Sequence, residues 1–174
     1  MFKGSLPTLL LGATLFVASC SSAQRRDEIA AVPPPPPTSV VTTAPVSIDV
    51  PPQLEGWETA TVTIGEATML VAVADEPTER RRGLMFVEDL EDLDGMLFSF
   101  GEETSRGFWM KNTLLPLDIA FFDADGALVD VLTMDPCEEV SCPSYVPSGA
   151  YWTAVEAPAG AFGDLAGDEL LSVG

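Results

Sequence analysis

Leu117-Asp118-Ile119-Ala120-Phe121-Phe122-Asp123-Ala124-Asp125-Gly126-Ala127-Leu128-Val129-Asp130-Val131-Leu132-Thr133 decides the fold class. Two runs rich in apolar, β-branched and aromatic residues, 117–122 and 127–133, flank a short polar turn. Runs of this length bounded by turn residues read as strands. Gly126 can take the φ > 0 position that such a turn needs. The segment is therefore a predicted β-hairpin. A calcium-loop reading of Asp123, Asp125 and Gly126 fails, because an EF-hand needs a Glu at its twelfth position and that position is Met134.

The same pattern repeats on both sides. Thr59 to Ile64 and Thr68 to Val73 flank Gly65-Glu66 and form a second predicted hairpin. Met96 to Phe100 is a short apolar strand after Asp94-Gly95. Tyr151 to Glu156 is another, and Glu169 to Val173 is read as the last. Helix is limited to Pro77–Leu84, with Pro77 in its first turn and Asp75 as its cap, and to a second turn at Pro158–Phe162. Many short strands separated by Gly, Pro and Asp predict a mainly β fold: a small antiparallel β-sandwich or barrel-like domain with one or two short helices.

The N-terminal third has a different character. Met1-Phe2-Lys3, the apolar stretch Leu9 to Ala18 and the small residues after it follow the order of a secretory signal. The apolar stretch is shorter than the roughly 20 residues of a membrane span. Val17-Ala18-Ser19-Cys20 resembles the lipobox of bacterial lipoproteins, so Cys20 is the expected lipidation site and the membrane an expected partner. Acyl chains contribute about 0.8 kcal/mol per buried methylene, and two or more give stable anchoring. Residues 20–56 then read as a Pro-rich tether, containing the run Pro33 to Pro37 and Pro51-Pro52. Consecutive prolines lack backbone donors and stiffen into polyproline II. Such Pro/Thr-rich spacers resemble those of actinobacterial envelope proteins. The expected organisation is a signal segment at 1–19, the tether at 20–56 and one domain at 57–174, held at the extracytoplasmic face of the cell membrane.

Charge narrows the function classes. The 174 residues carry 8 Lys+Arg against 27 Asp+Glu and no His, a formal net charge of -19. Nucleic acid is excluded as a natural partner, because neutralising phosphates needs Lys and Arg. No His exists for a catalytic triad base, and no Gly-x-Ser-x-Gly or phosphate-loop block is present. No cofactor is expected. Cys137 and Cys142 remain once Cys20 is assigned to lipid. Two Cys without His fall short of the four ligands of a structural zinc site. In an exported chain their spacing suits a disulfide worth roughly 2 kcal/mol. Glu138 and Glu139 would raise a thiol pKa, which disfavours a redox role.

The segment Phe108-Trp109-Met110-Lys111-Asn112-Thr113-Leu114-Leu115-Pro116-Leu117-Asp118 concentrates an aromatic pair, a cation, an amide and a carboxylate. Trp109 offers a flat apolar face and a donor; Lys111 and Asn112 offer charge and a two-way hydrogen-bonding amide. In a strand Trp109 and Lys111 share one face, while Phe108 and Met110 share the other. The segment is thus either a saccharide or peptide site or a piece of core followed by a turn. Arg80 is a candidate clamp for Asp118 or Glu156. Asp118 and Glu156 are candidate acid and base of a glycoside hydrolase, if close enough.

Arg80 with Gly83-Leu84-Met85, Gly95-Met96-Leu97-Phe98-Ser99-Phe100, Phe108 to Thr113, Pro116-Leu117-Asp118, Cys137, Cys142-Pro143-Ser144-Tyr145, and Glu156 with Gly160 occur in an order similar to the DUF192 (UPF0127) family. The resemblance covers nearly all of the chain from Trp57 on. It implies a small, mainly β domain, often exported or lipid-anchored, and no established activity. Val87 departs from it, where many members carry a basic residue. The resulting expectation is a non-catalytic envelope module binding a glycan or an envelope protein through Arg80, Trp109, Lys111, Asn112 and Asp118. The alternatives are an envelope-polymer hydrolase using Asp118 and Glu156, or a structural envelope protein without ligand.

Overall fold

The computed structural model describes residues 47–163, 165 and 170–174. The expected signal segment at 1–19, Cys20 and the proline run 33–37 lie outside the described residues. The chain divides into units 1–42 and 43–174, and every described residue belongs to the second.

The elements are β1 (Thr59–Ile64), β2 (Ala67–Ala74), α1 (Pro77–Arg82), β3 (Gly95–Thr104), β4 (Phe108–Trp109), β5 (Leu117–Phe122), β6 (Leu128–Met134), β7 (Ser144–Tyr145), β8 (Tyr151–Pro158) and β9 (Leu171–Val173). The fold is mainly β, as the short strand-like runs between Gly, Pro and Asp turns predict. Both predicted hairpins form: β1 pairs with β2 from Thr59↔Ala72 to Ile64↔Ala67, and β5 pairs with β6 from Leu117↔Met134 to Phe122↔Leu128. In the second turn the Asp123 carboxylate accepts from the Asp125 and Ala127 N–H groups, each at 2.9 Å. Gly126 sits at φ +80, and a Cβ there would stand 2.6 Å from the Leu171 carbonyl oxygen. Only glycine meets both conditions.

Seven strands form one sheet in the order β6-β5-β8-β3-β2-β1-β9. Its pairs are antiparallel except β2 and β3, which run parallel from Val71↔Gly95 to Ala74↔Phe98. A parallel pair needs a crossover connection, and α1 with residues 83–94 supplies it. The sheet curls. Gly65 N–H donates to the Leu170 carbonyl at 3.3 Å, and Leu171 N–H donates to the Gly126 carbonyl at 2.8 Å. One short segment thereby joins the β1–β2 turn to the β5–β6 turn. All six residues of β5 are buried, which explains why its sequence is apolar on both faces. Ile119, Phe121, Met96, Phe98 and Ala154 pack on one face with Leu84, Val87 and Met110. Ala120, Phe122, Leu97 and Val155 pack on the other with Val62, Ile64 and Phe162. Val87, the departure from the usual basic residue, is fully buried, so an apolar side chain suits the site.

Three local expectations are corrected. The helix α1 is capped by Glu76 rather than Asp75, through a reciprocal capping box with Glu79. No helix forms at Pro158–Phe162. The chain makes turns there, because Gly160 takes φ +95 and the Gly160 and Phe162 N–H groups donate to Asp118 instead. Lastly, the tether expected over 20–56 does not reach as far as residue 56. Pro52–Leu54 forms a 3-10 turn with Leu54 buried, Asp49 N–H donates to Asp92, and the Gln53 amide donates to the Phe86 carbonyl. An apolar leucine after Pro51-Pro52 holds this stretch on the core. Cys137 and Cys142 form the expected disulfide, with their Cα atoms 5.9 Å apart.

Candidate functional site

The aromatic residues of β3, β4 and β8 build one wall. Phe108 meets Phe98 edge-on at 5.0 Å and Phe121 at 5.7 Å. Tyr151 meets Phe100 at 5.3 Å and Phe121 at 4.9 Å, also edge-on. These are the offset geometries that aromatic quadrupoles favour. Tyr151 is buried, and its hydroxyl donates to the Arg106 carbonyl at 2.8 Å. Burial pushes that hydroxyl up to about 12, against the Arg106 charge, which lowers it. It is therefore a fixed donor.

The α1 arginines close the opposite side. Arg80 donates through Nη1 to the Ser99 carbonyl at 2.7 Å and to the Asp75 carbonyl, and its guanidinium lies 5.3 Å from the Phe100 ring centroid. Between arginines and aromatics runs a cleft of about 360 Å³, bordered by Arg80, Arg81, Arg106, Phe100, Phe108, Trp109 and Tyr151. Gly107 leaves no room for a Cβ against Ser144 and Tyr145, which lets β4 pack close to β7. A recess of about 20 Å³ shares Arg80, Arg81, Phe108 and Trp109 with the cleft and adds Arg82, Phe98, Thr113 and Glu156.

Glu156 lies between Met96 and Ile119 in the sheet register, both buried. Gly95 leaves no room for a Cβ over the Glu156 carbonyl, so the β3 and β8 backbones meet there. Glu156 is 5% exposed. Burial pushes its carboxyl up to about 8, because the charged form has lost its water. At neutral pH it is a neutral acid, able to donate and to accept.

The predicted site residues separate into three groups. Arg80, Trp109 and Glu156 come together at the cleft and its recess, with Trp109 54% exposed. Arg80 clamps neither carboxylate; its hydrogen bonds go to two main-chain carbonyls. Lys111 and Asn112 turn away from the cleft. The strand period stops at Trp109, and Lys111 pairs instead with Cys137. Its ammonium donates to the Glu138 and Glu139 carbonyls at 3.3 and 2.5 Å, which secures the disulfide loop. Asn112 adopts φ +55, donates its N–H to the Cys137 carbonyl and accepts from Phe86 N–H. It is a turn residue. Asp118 is on the far face of the sheet, where it accepts from the Thr133 hydroxyl at 2.7 Å and from the Gly160 and Phe162 N–H groups. In the register Asp118 faces Ala157 while Glu156 faces Ile119. The two carboxylates therefore project from opposite faces and form no acid–base pair. Sequence reasoning missed Phe100, Arg106 and Tyr151 as cleft residues. The isolation of Arg106, one of two cations after Arg82, was the available signal.

A family profile matches the segment that carries this arrangement, residues 60–170: DUF192, described as "Uncharacterized ACR, COG1430". The chain belongs to the DUF192 family. Two solved structures are similar to this DUF192 protein. One, from Sinorhizobium meliloti and described as a "putative transcription regulator", is 27% identical over 67% of this chain and 95% of its own, with a TM-score of 0.59. The other is a protein of unknown function from Novosphingobium aromaticivorans, 23% identical over 74% of this chain and 94% of its own, with a TM-score of 0.62. The latter likeness concerns the fold alone. No curated protein matches the chain.

Proposed function

We propose that this DUF192 protein is a non-catalytic, lipid-anchored binding module of the cell envelope that holds a glycan in its aromatic and arginine cleft. The observation that carries this reading is Trp109. It is a large aromatic left 54% exposed at the border of a cleft already walled by Phe100, Phe108 and Tyr151. An exposed ring beside fixed hydrogen-bonding groups suits stacking on a sugar ring. The separation of Asp118 from Glu156 removes support for the hydrolase alternative. A net charge of -19 opposes nucleic-acid binding, and so opposes for this chain the regulator role named for the Sinorhizobium relative.

Anchoring rests on the lipobox-like Val17-Ala18-Ser19-Cys20 and the proline-rich stretch after it. A Cys20→Ala substitution should move the protein from the membrane to the soluble fraction; unchanged fractionation would count against the anchor. A glycan array probed with the full chain tests the binding. Signals that vanish in Trp109→Ala support the cleft, and signals that survive it place binding elsewhere.

A further inference from the structure

We infer that the cleft takes an anionic saccharide, whose acid group meets the arginines while one of its hydroxyls enters the recess and hydrogen-bonds Glu156. This rests on the glycan reading above and names the ligand class and a specificity residue.

The cations of the domain are concentrated at the cleft. Of the 8 Lys and Arg residues, Lys3, Arg25 and Arg26 precede the domain. Lys111 is engaged by the carbonyls of the disulfide loop. The remaining four, Arg80, Arg81, Arg82 and Arg106, all border the cleft or the recess. A chain with 27 acidic residues has carboxylates everywhere to pair with its arginines. It gathers them instead around an aromatic wall. Guanidinium groups match carboxylate and phosphate oxygens through paired donors. The aromatic rings beside them suit the apolar face of a sugar ring.

Glu156 points to the same ligand class independently. Its carboxyl oxygens accept no hydrogen bond from the described residues. Yet among those residues no sealed side-chain oxygen or nitrogen lacks a partner. Glu156 is among the residues that line the recess. That space, about 20 Å³, suits a single water-sized group, since about 10–15 Å³ is needed for one water. A hydroxyl fits; a whole carboxylate, phosphate or ring does not. Because burial keeps the acid neutral near pH 7, Glu156 can donate to and accept from a hydroxyl, and it does not repel an anionic ligand.

The test is calorimetric titration of the full chain with D-glucuronate, D-glucose 6-phosphate and D-glucose, followed by the single-deoxy derivatives of the tightest binder. An anionic sugar should bind at least about tenfold more tightly than glucose, and Arg106→Gln should reduce that margin. Preference for glucuronate or for the phosphate ester identifies which acid group the arginines take. One deoxy derivative should lose about tenfold in affinity for the wild type but not for Glu156→Leu, with Glu156→Gln as the isosteric control. Equal affinity for glucose and both anions would overturn the anionic assignment. Identical deoxy losses in wild type and both Glu156 variants would overturn the role of Glu156 and leave the glycan reading standing. Binding of none of the three sugars would overturn the glycan reading and this inference together.

Discussion

Asp118 on β5 stands opposite Ala157 on β8, so its carboxylate and that of Glu156, one residue away along β8, emerge on opposite faces of the sheet. Both are buried, but they differ in their partners. Asp118 is surrounded by three donors from β6 and the 158–162 turn. Glu156 lines the recess beside the cleft. The first holds the fold together, and the second belongs to the cleft.

Replacing Asp118 should therefore cost stability and spare the cleft. Asp118→Ala leaves the Thr133 hydroxyl and two N–H groups without their acceptor. Hydrogen bonds to a charged group contribute about 1.5–3 kcal/mol, and of the three donors only the Phe162 N–H belongs to a buried residue while Thr133 and Gly160 are exposed, so a total loss of roughly 3 kcal/mol is expected. Urea denaturation of the variant measures it. A change below about 0.5 kcal/mol would contradict the structural role.

Glu156 should make stability fall as pH rises. Burial lifts its carboxyl from the ordinary 4.5 to about 8 in the folded chain. Between those values the folded state holds a proton that the unfolded state has released. Stability contributed by this group is thus greatest below pH 4.5, declines through the window and levels off above pH 8. The slope for one proton approaches about 1.4 kcal/mol per pH unit. Denaturation midpoints compared at intervals across that window should fall more steeply in the wild type than in Glu156→Gln. Parallel pH profiles would mean that Glu156 is ionised in the fold.

Neighbours in β4 should behave oppositely. Trp109 is largely exposed and Phe108 packs among Phe98, Phe100 and Phe121. Trp109→Ala should change unfolding free energy by about 0.5 kcal/mol or less. Phe108→Ala should cost about 3–5 kcal/mol. Thermal melts of the two variants compare them directly.

The disulfide should contribute about 2 kcal/mol, the chain-entropy value for so short a loop. The double variant Cys137→Ser/Cys142→Ser should unfold at correspondingly lower denaturant. It should also release Lys111, whose ammonium rests on carbonyls inside the loop. Increased exchange of the Asn112 amide, which donates to the Cys137 carbonyl at 2.8 Å, would report that loosening. Protection unchanged from the wild type would show that the loop holds its shape without the bridge.

The sequence alone determined what is local. Short runs of apolar, β-branched and aromatic residues and the turns at Gly65 and Gly126 specified two hairpins, because both signals act within a few residues. Cys137 and Cys142 are five apart and needed no long-range information either. What only the tertiary structure decided is who shares a face and a cavity. Alternation says that Asp118 and Ile119 point opposite ways, but not which of them sits beside Glu156; that depends on the β5–β8 register, and a slip of one residue would reverse it. The cleft is assembled from α1, β3, the β3–β4 connection, β4 and β8, which the curled sheet and the parallel β2–β3 crossover bring together. No spacing in the chain links Arg80, Arg106, Trp109 and Tyr151. Their meeting is a product of packing, in which distant segments are brought together by the apolar area they bury.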